Sequence, residues 1–80
     1  MLVPLYGFLQ GDTIGLLVLA HDDWTVEQVI ERLRASASVR VAHEGEHHLV
    51  HRGLTLDKGL TVAQSGIQAL DRIDVRRGKA

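Results

Sequence analysis

The residues of this chain best suited to chemistry stand five in a row: His43-Glu44-Gly45-Glu46-His47. The order His-Glu-x-x-His is that of a zinc-dependent hydrolase. In such an enzyme two histidines one helical turn apart hold the metal while the glutamate activates water. The chemistry requires a helix, and this stretch does not read as one. A glycine sits at its centre, extended runs flank it, and no third ligand follows on a second helix. A solvated loop is the better reading.

His47, His48 and His51 invite a second metal reading. In an extended chain His47 and His51 share a face with Leu49, while His48 points the other way. Four residues of strand span roughly 13 Å, too far for one ion to bridge. Asp22 and Asp23 are adjacent, but no base or metal partner accompanies them. They suit a solvated loop before a helix start, where negative charge is favourable. No catalytic, cofactor-binding or metal-binding residue is therefore assigned, and function has to be read from surfaces.

The elements that would carry those surfaces follow from spacing. Leu2 to Leu9 is apolar, Gln10-Gly11-Asp12 makes a turn, and Thr13 to Ala20 is a second apolar run, which together predict a hairpin. Thr25 is a helix N-cap with Gln28 three residues on, the pattern of a capping box, and Trp24 before it can act as a hydrophobic staple on Val29. Val26, Val29, Ile30 and Leu33 recur at helical spacing, which predicts about three turns. Glu27 near the start and Arg32 and Arg34 near the end suit the helix dipole. Ala35-Ser36-Ala37-Ser38 lets the helix fray.

Val39 to Ala42 reads as a short extended run. Leu49 to His51 reads as a strand, Gly53 as a turn, and Leu54 to Leu56 as a short strand or bend. Asp57-Lys58-Gly59 is a further turn. Thr61 caps a single helical turn over residues 62–65, ended by Gly66, and Ile67 returns to the core. From Asp71 to Arg77, Arg72, Asp74 and Arg76 alternate with Ile73 and Val75, which predicts a last strand with one wet face. This order predicts an α+β fold: a mixed sheet of four to five strands with one main helix and a short helical turn. The last strand is expected beside the first, in parallel.

With 80 residues there is room for one domain, residues 1–80, and a small core. The formal charge of −1 gives no footprint for nucleic acid, and the absence of cysteine removes disulfides and thiolate metal sites. The apolar opening is broken by Pro4, Gly7, Gly11, Asp12 and Gly15 and has no basic front, so neither a spanning helix nor a signal peptide is expected. A cytoplasmic protein that does not act at a membrane is the expectation.

The whole pattern resembles the ubiquitin-like β-grasp fold. The residues that carry the likeness are Ile14, Leu16 and Val18; Thr25-Val26, Val29 and Leu33; Leu49-Val50 and Gly53; Leu56, Gly59, Thr61-Val62, Ile67, Ile73 and Val75. Within that fold, conjugated tags and sulfur carriers use a terminal Gly-Gly. The ending Arg77-Gly78-Lys79-Ala80 lacks it, so conjugation through the C-terminus is not expected.

A narrower likeness is to the small B (gamma) subunit family of toluene and related aromatic multicomponent monooxygenases. It rests on Phe8 to Leu19 with its Asp12 turn, on Arg40-Val41-Ala42, and on Thr61-Val62-Ala63-Gln64-Ser65-Gly66-Ile67 leading to Ile73-Asp74-Val75. The His-rich connection and the basic ending depart from it. The resemblance implies a non-catalytic subunit of a bacterial complex that hydroxylates toluene-like aromatics or alkenes. It also implies no cofactor on this chain and a di-iron centre in a large partner subunit. The alternative is a stand-alone ubiquitin-like interaction adaptor, for example one associated with a bacterial secretion system.

One physical argument bears on docking without any resemblance. Strand faces alternate, so β-strand one offers Val3, Leu5 and Leu9 on one side and Leu2, Tyr6 and Phe8 on the other. Strand two sets Ile14, Leu16 and Val18 against Leu17 and Leu19. One helix covers only one face, so apolar groups remain outside, and such patches mark partner sites. The candidate partner-binding residues are Leu5, Tyr6, Phe8, Leu17, Leu19, Trp24 and Val50.

Overall fold

The computed structural model describes residues 1–10, 15–36 and 46–78. The turn at Gly11-Asp12, Ile14, the extended run from Val39 to Ala42 and the residues His43 to Gly45 lie outside the described residues. The elements run β1 (Leu2–Leu9), β2 (Leu16–His21), α1 (Val26–Ser36), β3 (His47–His51), β4 (Leu54–Thr55), α2 (Val62–Ser65) and β5 (Arg72–Arg77).

The five strands form one sheet in the order β2-β1-β5-β3-β4. β1 pairs antiparallel with β2, placing Leu5 opposite Val18 and Tyr6 opposite Leu17. It also pairs parallel with β5, with Tyr6 opposite Arg72 and Leu9 opposite Val75. The first and last strands therefore lie side by side in the middle, as their apolar content predicts. β3 joins the other side of β5 antiparallel. β3 and β4 turn through Arg52 and Gly53, both at positive φ (53° and 79°). A two-residue hairpin with that backbone follows the right-handed twist of its strands, and glycine adopts it without steric cost.

α1 lies across one face and buries Val26, Val29, Ile30 and Leu33. Against them the sheet places Val3, Leu5 and Leu9 of β1, Val18 and Ala20 of β2, Leu49 of β3 and Ile73 and Val75 of β5. Val62 and Ile67 close the end of this core. Gly7 faces the helix, and a Cβ built on it would lie 2.9 Å from Leu33 Cδ1. Its bare backbone is what lets Leu33 seat against the sheet. His47 and His51 share the buried face of β3 with Leu49, while His48 turns to the opposite face and is half-buried.

The two helix starts are built alike and complete each other. In α1, Gln28 N–H donates to Thr25 Oγ1 (3.2 Å) and Thr25 N–H to Gln28 Oε1 (2.8 Å). In α2, Thr61 and Gln64 make the same pair of bonds, at 3.1 and 3.0 Å. The next free donors, which a helix cannot satisfy internally, are exchanged. Val26 N–H donates to the Leu60 carbonyl and Val62 N–H to the Trp24 carbonyl, each at 2.8 Å. Glu27 N–H reaches the Lys58 carbonyl (3.3 Å) and Ala63 N–H the Asp22 carbonyl (3.0 Å). α2 ends at Gly66 with φ of 85°, a left-handed C-cap position that glycine fills best. The architecture is the ubiquitin-like β-grasp: a mixed five-stranded sheet wrapped on one main helix.

Candidate functional site

The helix covers one face of the sheet, and among the described residues no element covers the opposite face. Its composition follows from alternation along β1 and β2. Leu2 and Tyr6 of β1 are 55% and 47% exposed, and Leu17 and Leu19 of β2 are 59% and 56% exposed. The register brings them together, with Tyr6 opposite Leu17 and Pro4 opposite Leu19. The result is an apolar patch at the β2 side of the sheet. Beyond it, β5 presents Arg72, Asp74 and Arg76 on the same open face, and β3 presents His48 and Val50. The open face thus has an apolar half and a charged half.

The seven residues expected to bind a partner divide accordingly. Tyr6, Leu17 and Leu19 stand together in the apolar half. Phe8 continues the β1 row but is partly covered, because the Arg72 guanidinium lies 4.2 Å from its ring centroid. Trp24 stands at the end of β2 against α1. Its ring is tilted against His21 (centroids 5.6 Å apart), and Arg32 lies 5.3 Å over it. There it packs partly buried against the core. Val50 lies opposite Asp74, on the far side of β5 from the leucines. Leu5 requires a correction. It is 0% exposed, because odd positions of β1 face the helix, and so it is core and offers nothing to a partner. Leu2, which shares the parity of Tyr6, takes its place in the patch.

Several charged groups of the sheet are paired with one another. His51 Nε2–H donates to Asp71 Oδ2 at 2.8 Å in a partly buried pair. Asp71 also accepts the Gln68 backbone N–H at 3.0 Å, and the Arg52 guanidinium lies 3.9 Å away. The Gln68 amide, then the His51 side chain, then the Arg52 charge hold the Asp71 carboxyl below its ordinary 3.8, against the opposing effect of burial. The pair pins the end of β3 to the start of β5. Spacing in sequence gave no sign of it, because the partners are twenty residues apart and meet only once the strands pair. On the open face, Arg72 donates to Asp74 Oδ1 at 3.1 Å, and His48 Nδ1–H donates to the Gly78 carbonyl at 2.9 Å.

Of the five-residue His-Glu stretch, His43 to Gly45 lie outside the described residues. His47 opens a strand with its side chain buried, which is not the helical geometry a His-Glu-x-x-His zinc site needs. Among the described residues, no group of three or more His, Cys, Asp or Glu side chains converges to hold a metal ion. No helix among them is long and apolar enough to cross a membrane.

A chain of the toluene 4-monooxygenase HD complex with the inhibitor 4-bromobenzoate superposes with a TM-score of 0.90 at 23% identity, covering 98% of this chain and all of that one. The ubiquitin of Caldiarchaeum subterraneum superposes at 0.78 with 14% identity, over 100% of this chain and 98% of that one. A structure described as molecular mimicry of SUMO that promotes DNA repair superposes at 0.76 with 22% identity, over 92% and 89%. At these identities the likenesses establish the fold. No curated protein sequence matches the chain. The model of one family, described as toluene-4-monooxygenase system protein B (TmoB), matches residues 2–76, nearly the whole chain, and reaches into every strand of the sheet. The chain belongs to the toluene-4-monooxygenase system protein B family.

Proposed function

We propose that this chain is the small, non-catalytic subunit of a multicomponent di-iron monooxygenase that hydroxylates toluene-like aromatics or alkenes. It docks on the large hydroxylase subunit through the apolar half of its open sheet face. Membership of the family carries the first part of this reading. The second is supported by Leu2, Tyr6, Leu17 and Leu19, four large apolar side chains about half exposed on one continuous face. A soluble chain of this size gains nothing from leaving them in water, whereas a partner that covers them gains their burial.

On this reading the iron and the oxygen chemistry belong to the partner. This chain supplies shape and contact area, and it works where the complex works, in the cytoplasm. The family match favours this reading over a stand-alone adaptor. The test is co-expression with the large di-iron subunit of the same system. The two chains are expected to elute as one species in fixed ratio through affinity and size-exclusion steps. A large subunit that purifies fully assembled and active without this chain, while this chain elutes alone, overturns the proposal.

A further inference from the structure

The two edges of the sheet are treated differently. β4 forms one edge and is only two residues long, a length that leaves little backbone to pair. β2 forms the other edge and runs six residues, Leu-Leu-Val-Leu-Ala-His. It carries no proline, lysine or acidic residue, the usual devices that keep a free edge from pairing.

The direction of its backbone groups follows from the bonds around β1. Tyr6 N–H donates to the Asp71 carbonyl, Gln10 N–H to the Val75 carbonyl, and the Pro4 carbonyl accepts from Leu70. Even positions of β1 therefore point their backbone toward β5, and odd positions point toward β2. The odd positions Val3, Leu5 and Gly7 stand opposite Ala20, Val18 and Leu16, and Asp22 N–H donates to the Met1 carbonyl. So residues 16, 18, 20 and 22 bond inward, and Leu17, Leu19 and His21 point their backbone groups away from the sheet. The His21 carbonyl is taken by Trp24 N–H. Among the described residues, the outward row that remains comprises the N–H and C=O of Leu17 and Leu19 and the N–H of His21. Leu17 and Leu19 are also the two most exposed leucines of the apolar patch.

We propose that docking occurs by strand addition: an extended segment of the large hydroxylase subunit pairs with β2 along Leu17, Leu19 and His21. This inference rests on the docking reading above and specifies its mode. The added strand would place alternate side chains on the open face beside Leu17 and Leu19, which selects apolar residues there. Its other side chains fall in the groove between β2 and α1, lined by Val18, Trp24, Arg32 and Ser36. The Arg32 guanidinium stacked on Trp24 selects a carboxylate on that side. The occupant is thus an extended segment with apolar residues on one face and an acidic residue on the other. A second copy of this chain fits less well. Joined to β2 about a two-fold axis, it brings its own Arg32 to the same side of the join, like charge toward like.

Proline substitution separates backbone pairing from side-chain contact. Leu19 N–H makes no bond to β1, so Leu19→Pro removes an outward donor and spares the β1–β2 ladder. Leu19→Ala trims the side chain and keeps the donor. In the complex with the large subunit, Leu19→Pro is expected to bind about tenfold more weakly than Leu19→Ala, the share of one lost hydrogen bond and a blocked approach. Arg32→Glu is expected to weaken binding with a reduced salt dependence. Circular dichroism and thermal melting verify that each variant is folded. A second readout holds even if the proline variant does not fold: the amides of Leu17, Leu19 and His21 in the unaltered chain are expected to exchange more slowly in the complex. If the unaltered chain binds while Leu19→Pro equals Leu19→Ala, or while those three amides keep their free exchange rates, strand addition is overturned and docking stands. If the unaltered chain does not bind, the docking reading itself falls. An isolated chain that dimerises, with the dimer lost in Leu19→Pro, overturns the assignment of the occupant to the large subunit.

Discussion

Replacing Leu17 and Leu19 together by alanine separates the open face from the core. Full burial of a leucine side chain is worth about 1.5–3 kcal/mol. Leu17 and Leu19 keep 59% and 56% of their surface in water in the free chain. Each therefore holds about 0.9–1.8 kcal/mol in reserve for a partner that covers it fully. Alanine keeps one methyl of that, so the double substitution costs about 2 kcal/mol of docking free energy, or roughly 30-fold in Kd at about 1.4 kcal/mol per decade. Folding loses less, because only the smaller, already covered part of each side chain contributes. A melting temperature lower by a few degrees is expected for a domain of this size. Leu5→Ala is the mirror case. Leu5 is fully buried, so the cost of about 2–5 kcal/mol falls on folding, and the folded fraction keeps its affinity. The assay is titration of the large subunit with each variant, with urea unfolding in parallel. A Kd within about twofold of the unaltered chain for the double variant, in a protein that folds normally, refutes the assignment of the open face.

Three further outcomes are expected. Thr25→Ala and Thr61→Ala each remove a cap worth about 1 kcal/mol. Because the two helix starts exchange bonds, the double variant should depart from additivity by at least about 0.5 kcal/mol in urea unfolding, and strict additivity would show that they act independently. The Asp71 carboxyl titrates lower in the folded chain than its ordinary 3.8, so the unfolded chain binds its proton first as pH falls. The stabilisation it gives is complete above that ordinary value and disappears as pH drops through the lower, folded value. Asp71→Asn should therefore lower stability at neutral pH and flatten the acid limb of a stability–pH profile, and an unchanged acid limb contradicts the pairing. Gly7→Ala drives a methyl into Leu33 and should destabilise by about 1–3 kcal/mol. In the Leu33→Ala background the same change should cost less, and an equal cost would place the strain elsewhere.

Much of the fold was legible because local signals agreed with one another. The Thr-Val-x-Gln pattern at residues 25–28 and 61–64 announces two capped helix starts, and both form. The alternation from Arg72 to Val75 announces a half-wet strand, and β5 has that burial pattern. The candidate site was legible in kind but not in sign. In β1 both faces are apolar, so alternation sorts the residues into two sets without saying which set faces the helix. That is why alternation alone does not exclude Leu5 from the docking face. A signal was present in Gly7, which belongs to the set with Leu5. A residue without a side chain in an apolar strand suits a close approach by another element, and here Leu33 makes it. The His51–Asp71 pair and the Arg32–Trp24 stack depend on tertiary placement. No spacing rule reaches the first, and the second joins residues eight positions apart whose contact depends on how the end of β2 meets α1.

The bonds traded between the two helix starts also constrain how the molecule can change. The segment from Asp57 to Thr61 looks like an ordinary surface turn, the sort of place where a tag, a nick or an inserted peptide is tolerated. Yet its Lys58 and Leu60 carbonyls hold the first amides of the main helix. Cleavage or lengthening there would loosen the three-turn helix from a distance, although that helix begins more than thirty positions earlier in the chain. The two regions should open as one cooperative unit in native-state exchange, and grafts meant to leave the domain intact are better placed elsewhere.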